Sequence, residues 1–77
     1  MQSTELKSLL AAAFPEASIE VASPDDVHFQ ATIIAEAFAG KPTLARHRMV
    51  YAVLGERMGG EVHALSLRTL TPAEAKA

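Results

Sequence analysis

Leu6, Leu9, Leu10 and Ala13 recur at the three- and four-residue spacing of one helix face, while Glu5, Lys7 and Ser8 fall away from it. The spacing predicts a first helix with Ser3 as its N-cap. It ends at Phe14, because Pro15 disfavours helical geometry in the residue before it. In "ASIEVA", Ile19 and Val21 alternate with Ser18, Glu20 and Ala22, the period of a half-buried strand. "SPDD" then has turn chemistry, since proline presets its φ and aspartate side chains bond nearby backbone. Through "VHFQATIIAEAF", Phe29, Ala31 and Ile33 share one face and His28, Gln30 and Thr32 the other. That is a second strand, and the two strands form an antiparallel hairpin with one wet face.

"AGKPT" breaks the strand, and Thr43 can cap the next helix. From Leu44 to Met58 the positions Val50, Val53, Leu54 and Met58 are helical, ending at Gly59-Gly60, where glycine takes a left-handed cap. Gly55 inside that run weakens it by about 1 kcal/mol relative to alanine. "EVHALSL", Glu61 to Leu67, reads as the third strand. Val62, Ala64 and Ser66 lie on one side; on the other, His63 stands in line with the core leucines Leu65 and Leu67. Thr71, Pro72 and Glu74 make a capping box with proline at the first helical position, so a terminal helix starts there. The order of elements predicts an α+β layer pair, a three-stranded sheet with helices on one face, folded as a single domain of residues 1–77.

Composition narrows the chemistry. There is no cysteine, so the chain holds neither a disulfide nor a thiolate metal site of its own. Four aromatic residues (Phe14, Phe29, Phe38 and Tyr51) leave a mostly aliphatic core. A net charge of −2 argues against strong nonspecific nucleic-acid binding, which depends on Lys and Arg neutralising phosphates. No apolar run reaches the ~20 residues that span a bilayer. "MQSTELKSLLAAAF" reaches an acid at Glu5 without a basic leader, so the expectation is a soluble cytoplasmic protein.

Three histidines, His28, His47 and His63, are the candidates for metal chemistry. His28 and His63 both lie at strand ends, and the sheet order could bring them to one site. Two imidazoles make an open site whose remaining ligands come from a partner or small molecule. The alternatives are a core-capping His63 bonded to a backbone carbonyl and a solvated His28. A second constellation is "GKPTLARHR", where Lys41, Arg46, His47 and Arg48 gather at a helix start. It reads either as a contact to phosphate or to an acidic partner, or as a solvated helix face whose arginine stems cover apolar surface. No nucleophile elbow, phosphate-cradling loop or acid–base carboxylate pair is present, and an enzyme is not expected.

Taken in order, "HFQATIIAEAFAGKPTLARHRMVYAVLG" and "VHALSLRTLTPAE" resemble the BolA-like proteins. The marks are "HF" opening a strand, "F-x-G" at Phe38 and Gly40, "RHR-x-V-Y", "VHAL" and "TP-x-E", spanning Val27 to Glu74. The short length is similar to the small bacterial branch, while "RHR" looks more like the main branch. The resemblance implies a mixed sheet in the order αββααβα, similar to a class II KH domain. The Leu44–Met58 helix would then be a short turn followed by a longer helix. It also implies a monothiol glutaredoxin as partner and a 2Fe–2S cluster shared with it. Glutaredoxin cysteine and glutathione would supply sulfur, and the BolA-like chain histidine. The family's metal-binding histidine falls on His63, and His28 is the candidate for a second. No cofactor is expected in the isolated chain, nor an oligomer. The family's other activity, transcriptional regulation by DNA binding, would use Lys41, Arg46, His47 and Arg48.

Overall fold

A computed structural model describes all residues, 1–77. Helix α1 (Ser3–Ala13) leads into strands β1 (Ser18–Ala22) and β2 (His28–Ile34). A single 3₁₀ turn, Glu36–Phe38, precedes helix α2 (Thr43–Leu54), and a second, Gly55–Arg57, follows it. Strand β3 (Ala64–Leu70) and helix α3 (Pro72–Lys76) complete the chain. With Glu36–Phe38 as the short helix, the order is αββααβα. That short turn lies ahead of the Leu44–Met58 segment and not inside it.

The sheet order is β1-β2-β3. β1 and β2 are antiparallel, with Ile19 opposite Ile33. β2 and β3 are parallel, with His28 opposite Ala64 and Ile34 opposite Leu70. Parallel neighbours need a crossover connection, and α2 supplies it. The alternation in β2 is clean: Phe29, Ala31 and Ile33 are buried while His28 and Gln30 are exposed. Leu6 and Leu10 of α1, with Val50 and Leu54 of α2, close over that buried face. Each such fully buried leucine contributes about 1.5–3 kcal/mol relative to an exposed one. Phe14 and Phe38, both in this core, pack at a centroid distance of 5.5 Å. No helix is long and apolar enough to cross a membrane.

Several local details differ from the sequence reading. Gln2 and Pro42 occupy the N-cap positions of α1 and α2, with Ser3 and Thr43 already helical. The Gln2 N–H donates to the Glu5 carboxylate at 3.3 Å, so the acid caps the helix start. α2 ends at Leu54 because Gly55 adopts φ 53° and ψ −124°, a conformation outside the helical region. At α3 the capping box forms as expected: Thr71 N–H donates to Glu74 at 2.9 Å and Glu74 N–H donates to Thr71 at 3.1 Å.

The largest difference lies ahead of β3. The Val62 N–H donates to the Arg57 carbonyl at 2.9 Å, and the Gly59 N–H to the Val62 carbonyl at 2.8 Å. Gly59 holds φ 85° within this loop, a left-handed value that glycine adopts without strain. The loop turns Val62 fully into the core and leaves His63 exposed. His63 is therefore not in line with Leu65 and Leu67, because regular alternation begins only at Ala64.

A candidate metal centre at the rim of the sheet

β2 and β3 run in the same direction, so their first residues lie at the same edge of the sheet. The register puts Ala64 opposite His28, and His63 is one residue earlier. Val27 ties the two segments together. Its carbonyl accepts the N–H of His63 at 2.8 Å and that of Ala64 at 3.3 Å. The rings of His28 and His63 consequently meet edge to face, with centroids 5.3 Å apart and planes at 74°. Both residues are exposed, which removes the reading of His63 as a core cap.

The turn before β2 is built around Asp25. One carboxylate oxygen, Oδ1, accepts the N–H of His28 at 2.8 Å and that of Val27 at 3.1 Å. The other, Oδ2, lies 2.7 Å from Nδ1 of the His28 ring. These donors hold the Asp25 carboxyl down at about 2: first the His28 backbone N–H, then its ring, then the Val27 N–H. The sequence reading assigns Asp25 only to a turn. Its spacing of three residues before His28 is the signal that could have marked it.

No three histidine, aspartate or glutamate side chains converge to hold a metal ion by themselves. What the rim offers is two solvent-facing imidazoles, a donor set that accepts borderline-soft metals when further ligands come from elsewhere.

The basic segment divides differently. Arg46 is buried, only 8% exposed, and bonds internally. Nε donates to the Lys41 carbonyl at 2.8 Å and Nη1 to the Thr69 carbonyl at 3.2 Å. Nη1 and Nη2 also fork onto Glu74, at 2.6 and 3.0 Å. Its guanidinium lies 5.9 Å from the centre of the Phe38 ring. The Glu74 bonds push the Arg46 pKa further up, and the same bonds, with the Thr71 N–H, hold the Glu74 carboxyl down at about 2. Arg46 thus fastens α2 to β3 and α3 instead of facing a partner. Lys41 and Arg48 are exposed and His47 half-buried, so these three alone remain available at the surface. The sequence signal for Arg46 was its place four residues before Val50 and eight before Leu54, on the apolar stripe of α2.

The sequence profile of the family described as "BolA-like protein" matches residues 10–74, most of the chain. The chain belongs to the BolA-like family. This BolA-like chain is 39% identical over 54 residues to the DNA-binding transcriptional regulator BolA of Escherichia coli, covering 70% of this chain and 51% of that protein. It is 43% identical over 49 residues to human BolA-like protein 1, covering 64% of this chain and 36% of that protein. The matches thus span between about a third and a half of those relatives. Among solved structures, a BolA protein homologue from Coxiella burnetii superposes with a TM-score of 0.86 at 35% identity, covering 100% of this chain and 99% of that one.

Proposed function

We propose that this BolA-like chain is a non-enzymatic partner of a monothiol glutaredoxin and shares with it the ligation of a 2Fe–2S cluster, in the cytoplasm. The meeting of the His28 and His63 rings at 5.3 Å carries the reading. A chain without cysteine contributes nitrogen, and two exposed imidazoles fit a cluster whose other ligands come from a partner. Glutaredoxin cysteine and glutathione would supply the thiolates. Imidazole in place of thiolate makes a cluster less negative and raises its potential. His63 is the principal donor in this reading and His28 the second, while the Val27 carbonyl fixes the backbone that carries His63.

The test mixes the protein with cluster-loaded glutaredoxin and follows visible absorption and circular dichroism. The wild-type chain should change both spectra, and His63→Ala should abolish most of the change. An unchanged wild-type spectrum, or an equal change with His63→Ala, would sink the proposal.

A second reading rests on the name of the Escherichia coli relative, a DNA-binding transcriptional regulator. Here Lys41, His47 and Arg48 would contact phosphates, with Arg46 holding the helix that carries them. It requires salt-dependent binding to duplex DNA that weakens with Arg48→Ala. Absence of binding at low salt removes it.

A further inference from the structure

The Asp25–His28 contact does more than close a turn. We propose that Asp25 is a positioning residue that keeps the ring proton of His28 on Nδ1 and so presents Nε2 as the donor atom of that ring. The inference rests on the reading of His28 as a ligand, and deepens it.

A carboxylate only accepts hydrogen bonds. At 2.7 Å from Oδ2, Nδ1 of a neutral ring must therefore carry the proton, which leaves the lone pair on Nε2. The carboxylate cannot turn away without losing two bonds, because Oδ1 holds the N–H groups of Val27 and His28. Ser23 steadies the same turn: its hydroxyl oxygen accepts the Asp26 N–H at 2.9 Å and its O–H donates to the His28 carbonyl. Asp26 itself takes φ 63°, a left-handed conformation that aspartate tolerates better than most residues. Oδ1 alone would satisfy the turn, yet Oδ2 is aimed at the ring. The side chains of His28 and Asp25 remain 53% and 44% exposed, so the pair adds little to stability. Its effect falls on the ring. A carboxylate bonded to the far nitrogen of a ligating histidine fixes the tautomer and raises the basicity of the donor.

Asp25→Asn separates positioning from folding. The asparagine Oδ1 must still face the two backbone donors, so its amide nitrogen faces Nδ1. An amide donates there, Nδ1 has to accept, and the ring proton moves to Nε2. The turn persists and the tautomer inverts.

Two measurements on the isolated chain decide the matter. Long-range ¹H–¹⁵N spectra of the histidine rings at about pH 8, above the usual histidine range, should show Nδ1–H for His28 in the wild type and Nε2–H in Asp25→Asn. Zn²⁺ titration followed by the same ring signals should show affinity about 10–100-fold lower in Asp25→Asn. In a His28→Ala background, Asp25→Asn should then have no further effect. Backbone spectra should match outside the turn. An Nε2–H tautomer in the wild type, wild-type rings that ignore Zn²⁺, or equal Zn²⁺ affinities would overturn the inference. If Asp25→Asn disturbs the turn, the wild-type tautomer still decides. Neither measurement uses glutaredoxin. A chain that passes both and yet leaves the glutaredoxin spectrum unchanged refutes the partner reading alone.

Discussion

Arg46 and Glu74 meet through two parallel hydrogen bonds, Nη1 to Oε1 at 2.6 Å and Nη2 to Oε2 at 3.0 Å. The fork uses the planar guanidinium, which an ammonium cannot reproduce. Arg46→Ala should therefore lower the urea midpoint, and Arg46→Lys should fail to restore it. Arg48→Ala, at an exposed side chain two residues further on, should stay within about 0.5 kcal/mol of wild type. Equal effects at the two arginines would refute the assignment of Arg46 as an internal fastener.

The same pair makes stability depend on acid. Glu74 is held at about 2, below its ordinary 4.5, so the folded state favours its charged form. Its contribution is complete above the ordinary value and is lost as pH falls from about 4.5 towards 2. Urea denaturation across that window should show a steeper loss in wild type than in Glu74→Gln. Parallel curves would contradict it.

Gly55 distinguishes two placements by the sign of one substitution. Inside a helix, Gly→Ala stabilises by about 0.5–1 kcal/mol. At φ 53° and ψ −124°, with nothing within 4 Å of an added Cβ, the penalty is purely conformational. Gly55→Ala should destabilise by more than about 1 kcal/mol, measured by thermal or urea unfolding.

His28→Ala and His63→Ala should each leave stability within about 0.5 kcal/mol of wild type, because both side chains are exposed. Phe38→Ala, fully buried, should cost about 3–5 kcal/mol. Equilibrium unfolding of the three variants checks the contrast. A large loss at either histidine would make it a structural residue.

Elements governed by local chemistry were readable from the residues. Period two in Phe29, Ala31 and Ile33, helical spacing in Leu6 and Leu10, and the Thr71–Glu74 box all appear where expected. What failed depended on backbone geometry and bonding that side-chain periodicity does not show. The orientation of Val62 and His63 comes from the loop that bonds back to Arg57, which interrupts strand alternation. Arg46 carries a charge, which masks its place on the apolar stripe with Val50 and Leu54. For the candidate site, residue type and family resemblance single out both histidines. Their contact, however, follows from the parallel register of β2 with β3, a pairing that no local pattern encodes.

That register also sets when the rim exists. His63 is made 35 positions after His28, once the whole crossover helix has been made. Over those 35 positions a chain emerging from the ribosome carries His28 as the sole member of the rim pair, and it gains His63 only once the crossover has been made. Any ligand that needs both rings must wait for β3 to dock beside β2. Under the proposed shared ligation, incomplete or unfolded chains would be poor competitors for the cluster, and capture would be a property of the folded molecule.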